Sequence, residues 1–418
     1  MLQVEFDPQD ISSPKRSRFG DRRAIADWYG YYAGYSVPFV KDIISTLQPP
    51  RDGLIVDPWN GAGTTTATSS LLGYRSFGSD INPAMLIISR ARSALGIDAT
   101  ALLQNVSKGL ASAKGSTPVT LPWFSSEACH FIGRIKSLVT PNEVVQAQTL
   151  SDTDCIMFTA LFATLKLEIA HLRGTNPNWW KITYDTTCSP PQAHLDSAYM
   201  KSLQELLTAI DAAPTNEGIE PVEPSFAIAS SKNIPLSNEE ASLIITSPPY
   251  LTRLDYVKAM LIELQLLGFN ETETERLRRE MTGSVMGGAF EYCVLEWGDE
   301  AKSVLEHAIT AAQQKNRKDG NYYAGTFSRY FRDLFASLVE MNRILISGGS
   351  VAVVVQGSRH RGRIIDLPLV IQQMAASLGW EPLRAVAWPT RDLGRINPRS
   401  SKYGNYPLNE TAVLLRKP

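Results

Sequence analysis

Ser247-Pro248-Pro249-Tyr250 follows the apolar stretch ending Ile244-Ile245-Thr246. Proline fixes φ and has no N–H, so a Pro-Pro pair cannot continue a sheet or a mid-helix turn, and it holds the backbone carbonyls outward. The result is a rigid rim of acceptors beside one flat ring. Such a rim suits an exocyclic amino group, whose lone pair is delocalised into its base and must be drawn out before it can attack an electrophile. Tyr250 would supply a stacking face. Alone, the run also fits a proline-rich docking peptide or an ordinary strand-terminating turn.

A second constellation lies upstream, where Leu54-Ile55-Val56-Asp57 reads as a buried parallel strand and Pro58-Trp59-Asn60-Gly61-Ala62-Gly63-Thr64-Thr65 as a glycine turn opening a helix. Glycines there let the backbone approach a ligand, and Asp57 at the strand end can accept from an ammonium. The next strand ends at Ser79-Asp80-Ile81-Asn82-Pro83. An acidic residue at that tip is suited to the two hydroxyls of a ribose, each charge-assisted bond contributing roughly 1.5 to 3 kcal/mol. Asp80 alone could equally be a helix N-cap. A ligand with a ribose and a positive amino-acid tail, set beside a rim that activates an amine, implies S-adenosyl-L-methionine and methyl transfer to nitrogen.

On these residues the chain resembles the amino-methyltransferases of DNA, which methylate N4 of cytosine or N6 of adenine. The family's cofactor loop, Asp-Pro-Phe-x-Gly-Ser-Gly-Thr-Thr, stands here as Asp57 to Thr65, with Trp59 and Ala62 as departures. The resemblance implies cofactor contacts from Asp57, Trp59, Asn60, Gly61, Gly63, Thr64, Thr65, Asp80, Ile81 and Thr246, and catalytic roles for Ser247, Pro248, Pro249 and Tyr250. Tyr31 to Val40 occupies the place of the segment that covers the methionine end of the cofactor, adding Tyr35 and Ser36 by position and aromatic content. Thr246 to Gly268 resembles a subgroup in which the catalytic motif, here continuing through Arg253, runs into a leucine-rich helix. Arg343 to Gly349 and then Val351 to Gln356 match the family's arginine, helix end, Gly-Gly and following strand. Ser230 stands where the family often carries an acid near the adenine ring. Serine at the first catalytic place is associated with cytosine N4.

The fold that follows is α/β and Rossmann-like, a mixed, mostly parallel seven-stranded sheet with a helical insertion. The expected partner is double-stranded DNA, with the target nucleotide flipped out of the stack, and restriction or phage-defence proteins are further candidate partners. The chain has 418 residues, enough for a sizeable core, and its 44% hydrophobic and 20% charged content is ordinary for a soluble globular protein. Without an apolar run of the roughly 20 residues that a membrane span requires, or an apolar core in its first residues, the sequence points to a cytoplasmic protein. Cys129, Cys155, Cys188 and Cys293 lack metal-ligand spacing, so they read as reduced and structural, with no metal expected.

A net charge of −1 means that phosphate contacts must come from local basic faces. The runs are Lys15 to Arg23, Arg276 to Arg279, Arg359-His360-Arg361-Gly362-Arg363, and the loop Pro389 to Tyr406 with Arg391, Arg395, Arg399 and Lys402. Any one run can also be a solvated face. The Arg359 to Arg363 cluster stands out because it follows the strand Val351 to Gln356, and strand C-termini border the ligand cleft in sheets of this type. Trp179 beside Trp180, flanked by Arg173 and Lys181, could stack on an unpaired base or plug the insertion's core.

Three regions are expected: residues 1–95 as cover segment and cofactor half, 96–222 as a largely helical insertion, and 223–418 as the catalytic half, with 268–325 a second insertion. The first insertion must be folded, because unstructured loops of that length are uncommon in compact domains. Helices are predicted over Leu150 to Leu172, Ser202 to Ala213, Asp255 to Leu267 and Phe327 to Leu345. Competing functions are a DNA adenine-N6 enzyme, an RNA guanine-N2 methyltransferase, a small-molecule methyltransferase, and a non-catalytic DNA-binding subunit retaining the fold.

Overall fold

A computed structural model describes residues 3–6, 8–15, 28–31, 34–113, 115–172, 180, 187–213, 218–251, 255–283, 295–315, 317–389 and 408–418. Its strands are β1 (Val4–Phe6), β2 (Leu54–Asp57), β3 (Arg75–Asp80), β4 (Ser225–Ile228), β5 (Ala241–Thr246), β6 (Leu345–Gln356), β7 (Ser358–His360), β8 (Arg363–Ile365), β9 (Glu381–Pro389) and β10 (Asn409–Arg416). Eight of them form one sheet in the order β1-β9-β10-β6-β5-β2-β3-β4, and β7 and β8 form a separate hairpin. Neighbours in the large sheet run parallel except at β10, which is antiparallel to both β6 and β9. Among the described residues the sheet therefore has eight strands where the sequence suggests seven. The additional one is the three-residue edge strand β1, pinned to β9 by Arg384, whose guanidinium bonds Glu5 and Asp10. Three residues carry no periodicity by which a sequence could announce them.

Strand order reverses between β2 and β5. From β2 the sheet grows outward to β3 and β4, and from β5 to β6. In open α/β sheets such a switch point leaves a crevice beyond the carboxyl ends of the strands, where ligands bind. Both strands are mainly apolar and buried along their length, as expected of strands covered on two faces. Alternate residues serve opposite layers. Leu243 and Ile245 join Phe39, Val40 and Ile43 of helix α1 (Val37–Leu47) on one face, and Ile244 joins the helices of the other face.

Four helices follow β2 and β3: α2 (Thr64–Leu71), α3 (Pro83–Ser93), then α4 (Ala99–Ser112) and α5 (Ser126–Lys136). The insertion continues with α6 (Asp152–Glu168) and α7 (Gln192–Asp211). Helix α7 starts well before the Ser202 expected from sequence, and it buries Leu195, Tyr199 and Leu203 in the insertion core. That core is continuous with Ala84 to Ala94 and with Met260, Ile262, Leu266 and Leu267 of the catalytic half.

After β5 the expected helix Asp255 to Leu267 breaks at Met260 into α8 (Tyr256–Ala259) and α9 (Leu261–Leu266), followed by α10 (Glu271–Glu280). Helix α11 (Gly298–Lys315), the long α12 (Arg317–Ile344) and α13 (Leu367–Ser377) cover the second face of the sheet. Strand β6 starts at Leu345 and runs through Gly348-Gly349, so the Gly-Gly pair lies within it.

Candidate active site

Beyond Asp57 the chain turns through residues whose backbone L-side chains rarely adopt, with φ of 48° at Gly61 and 79° at Gly63. A Cβ at Gly61 would lie 2.9 Å from the Tyr31 ring, and one at Gly63 would lie 2.7 Å from Ser89. The turn is closed by backbone bonds: Asn60 N–H donates to the Ser79 carbonyl (3.0 Å) and Gly61 N–H to Asp80 Oδ2 (3.0 Å). Asn60 also accepts from the Thr66 hydroxyl at 3.1 Å. Asp80 Oδ1 accepts from Asn82 N–H (2.8 Å). Burial is the main reason that the Asp80 carboxyl is pushed up to about 6, against the pull of these backbone donors.

Asp57 is a hub. Its Oδ1 accepts from the Thr246 hydroxyl (2.6 Å) and Trp59 N–H (3.1 Å), and its Oδ2 from the hydroxyls of Tyr35 and Thr65 (both 2.8 Å). Tyr35 and Thr65 touch each other and lie near the Ile245 carbonyl. The carboxylate is 2% exposed, and burial raises its pKa against the pull of the four donors. A carboxylate offers about four acceptor sites, so protein donors satisfy this one. Through these bonds it joins the tips of β2 and β5.

One residue past Thr246 the Ser-Pro-Pro-Tyr run begins, with Ser247, Pro249 and Tyr250 half-buried and Pro248 buried. Groups from distant segments hold it. The Tyr330 hydroxyl donates to the Pro249 carbonyl (2.9 Å), Tyr250 N–H donates to the Tyr256 hydroxyl (3.1 Å), and the Tyr250 hydroxyl donates to Glu410 Oε1 (2.8 Å). The Ser358 hydroxyl donates to the Leu251 carbonyl at 3.1 Å, fastening the β7 and β8 hairpin beside the motif. Burial, then the Glu410 carboxylate, push the Tyr250 phenol well above its ordinary range, so it remains a donor.

The structure thus brings together Tyr35, Asp57, Trp59, Thr65 and Thr246, with Ser247 to Tyr250 next in the chain, and joins Asn60, Gly61 and Asp80 in the adjoining turn. Ile81 packs against the Tyr256 and Val257 cluster. Two expected contacts serve the scaffold. Ser36 caps α1, accepting from Phe39 N–H (3.3 Å) and donating to the Ser13 carbonyl (2.8 Å). Thr64 Oγ1 accepts from buried Arg92 at 3.1 Å. In the basic cluster, Arg363 is committed to the Ser303 carbonyl (2.6 Å) and to Glu300 (3.2 Å), while Arg361 is exposed at the hairpin turn. Arg359 is half-buried. Arg253, Trp179, Arg395, Arg399 and Lys402 lie outside the described residues.

No individual role was read from sequence for Tyr31 or Tyr256, which fall within the marked segments Tyr31 to Val40 and Thr246 to Gly268, or for Tyr330 or Glu410. Tyr330 and Glu410 act from segments remote from the motif, and Tyr256 lies only six residues beyond Tyr250 but with nothing in its type to mark it as a backbone acceptor. Equally unmarked is an ionic contact in which the fully buried Glu263 of α9 meets both the part-buried Lys166 of α6 and the Tyr29 hydroxyl. Tyr29 sits two residues before Tyr31, so this contact anchors the segment that overlies Gly61.

Among the described residues no group of three metal-ligating side chains forms, and no helix is long and apolar enough to cross a membrane. A large, mostly parallel sheet with helices on its faces, and a glycine turn joined to a second strand tip, fit a methyltransferase fold. No family model matches the chain. Its similarity to characterised proteins is to Type II methyltransferases. It is 21% identical over 444 aligned positions to M.BsoBI of Geobacillus stearothermophilus, covering 95% of this chain and 86% of that protein. It is 24% identical over 184 positions to M.AvaI of Nostoc sp. and of Anabaena variabilis, covering 42% of this chain and 38% of each.

Proposed function

We propose that the chain is an S-adenosylmethionine-dependent DNA methyltransferase acting on N4 of cytosine in duplex DNA. The observation that carries this reading is the Thr246 to Asp57 bond, which holds the end of the glycine-turn strand against the residue that opens Ser247-Pro248-Pro249-Tyr250. Similarity to a Type II methyltransferase over nearly the whole chain supports it.

The residues present fit the cofactor. The Asp80 oxygens accept from the Gly61 and Asn82 N–H groups, with the Ile81 N–H adding to the pull, and a carboxylate has about four acceptor sites, which leaves capacity for a ribose hydroxyl. Gly61, Gly63 and the overlying Tyr31 shape the turn at the same tip. When bound, the cofactor supplies a methyl group on a positively charged sulfur.

Ser247 Oγ and the Pro248 carbonyl accept the hydrogens of the target amine and so direct its lone pair. Tyr330 takes the Pro249 carbonyl and fixes the rim's orientation. Tyr250 offers its ring to an extruded base, whose unstacking costs a few kcal/mol. Alignment of this kind contributes several kcal/mol by proximity and orientation, without a covalent enzyme intermediate.

Incubation with tritium-labelled cofactor and either duplex DNA or transfer RNA, followed by nucleoside mass spectrometry, tests the proposal. N4-methylcytosine is expected. N6-methyladenine corrects the target atom, label in transfer RNA replaces the substrate class, and no transfer to either refutes the reading.

A further inference from the structure

The Pro-Pro pair stiffens the backbone of the motif, but it does not set the plane of the ring that follows. Tyr250 can turn about its side-chain torsions unless another group holds its far end. Glu410 is that group, accepting from the phenol at 2.8 Å, while Tyr256 accepts from the backbone N–H of the same residue. The carboxylate stands on firm ground. Glu410 is the second residue of β10, paired with Gln356 of β6 on one side and Trp388 of β9 on the other. The ring is therefore fixed at both ends by elements that are more than 150 residues apart in sequence from one another.

The direction of this bond has a chemical consequence. A phenol has one proton, and Tyr250 gives it to the Glu410 carboxylate, so the bond holds the far end of the ring and commits the hydroxyl as a donor.

We propose that Glu410 is a positioning residue of the active site, fixing the plane in which Tyr250 presents its ring to an extruded base. This deepens the methyltransferase reading and rests on it. It also assigns the Tyr250 hydroxyl a role separate from ring stacking.

Three single variants of the full chain, Glu410→Ala, Glu410→Gln and Tyr250→Phe, and one double variant test the proposal. The readouts are single-turnover methyl transfer to duplex DNA and calorimetric affinity for the demethylated cofactor product. Losing one charge-assisted bond lowers the transfer rate by about 10- to 100-fold in Glu410→Ala and in Tyr250→Phe. Product affinity stays unchanged in both. Glu410→Gln keeps a carbonyl acceptor and remains within a few-fold of the parent. The double variant Tyr250→Phe with Glu410→Ala falls no further than either single one, because both remove the same bond. Full rate in Glu410→Ala or Tyr250→Phe overturns the inference and leaves the methyltransferase reading standing. Additive losses, or a parallel loss of product affinity, also overturn it. Absence of transfer by the parent protein removes the reading itself.

Discussion

Asp57→Ala is expected to loosen the join between the two halves of the sheet, and its cost follows from the four donors that the carboxylate receives. Trp59 N–H and the Thr246 hydroxyl, both directed at Oδ1, lose their acceptor in a site where Asp57 is 2% exposed. The hydroxyls of Tyr35 and Thr65 keep an alternative in the Ile245 carbonyl, at 3.2 and 3.3 Å. Two groups are thus stranded, and a buried unsatisfied donor costs about 1–3 kcal/mol, which gives about 2–6 kcal/mol. Asp57→Asn behaves differently. Its amide oxygen keeps Trp59 N–H and Thr246, and its NH2 meets two hydroxyls able to rotate and accept, so it loses about 1–2 kcal/mol, mainly from the weaker neutral bonds. Denaturant unfolding followed by tryptophan fluorescence measures both, with m-values compared to confirm an unchanged native state. Equal losses in the two variants, or an Asp57→Ala protein as stable as the parent, would refute the assignment of Asp57 as the satisfied hub of the strand tips.

Further outcomes follow from the same geometry. With the Asp80 carboxyl raised to about 6 by burial, affinity for the cofactor product should rise with pH through that value, falling about tenfold per unit below it if the ionised form is required; calorimetry across pH 5 to 8 reads this, and a flat profile, or unchanged affinity in Asp80→Asn, counts against a ribose contact. His360 is buried among Tyr323, Phe327 and His307 with neither ring nitrogen bonded, and burial lowers its pKa from 6.5 to about 4. Between those values the unfolded chain carries the extra proton, so stability falls as pH drops through the window, by up to about 3 kcal/mol. His360→Phe should flatten that part of the acid limb in parallel urea titrations, and an unaltered slope rejects the assignment. Arg361→Ala should weaken DNA binding and reduce its salt slope by about one, whereas Arg363→Ala should mainly destabilise the hairpin that Glu300 and the Ser303 carbonyl hold. Filter binding over a salt series together with thermal melts separates the two, and identical effects would show that the cluster acts as one surface.

Much of this molecule could be read directly from local sequence. The buried strands Leu54–Asp57 and Ala241–Thr246 are mainly apolar runs, and their ends are marked by residues that cannot extend a strand or that favour a turn. Asn82 caps α3 and Pro83 opens it, as their types dictate. The glycine turn, the acid at the next tip and the Ser-Pro-Pro-Tyr run carried their chemistry in their spacing. These are properties of a few adjacent residues, where side-chain type and backbone preference act within one or two turns.

Only the tertiary structure could decide which distant groups complete the site. Asp57 and Thr246 meet because parallel pairing of β2 and β5 aligns their ends, a consequence of sheet order that no short pattern encodes. Glu410 and Tyr330 reach the motif from an antiparallel strand and a long helix on its far side in sequence. Ser36, Thr64 and Arg363 also bond within the protein, to a helix cap, a buried arginine and an ion-pair partner that no local pattern shows. A side chain's chemistry is fixed by its type, but its availability depends on the partners that packing brings within bonding distance, and those come from the whole chain.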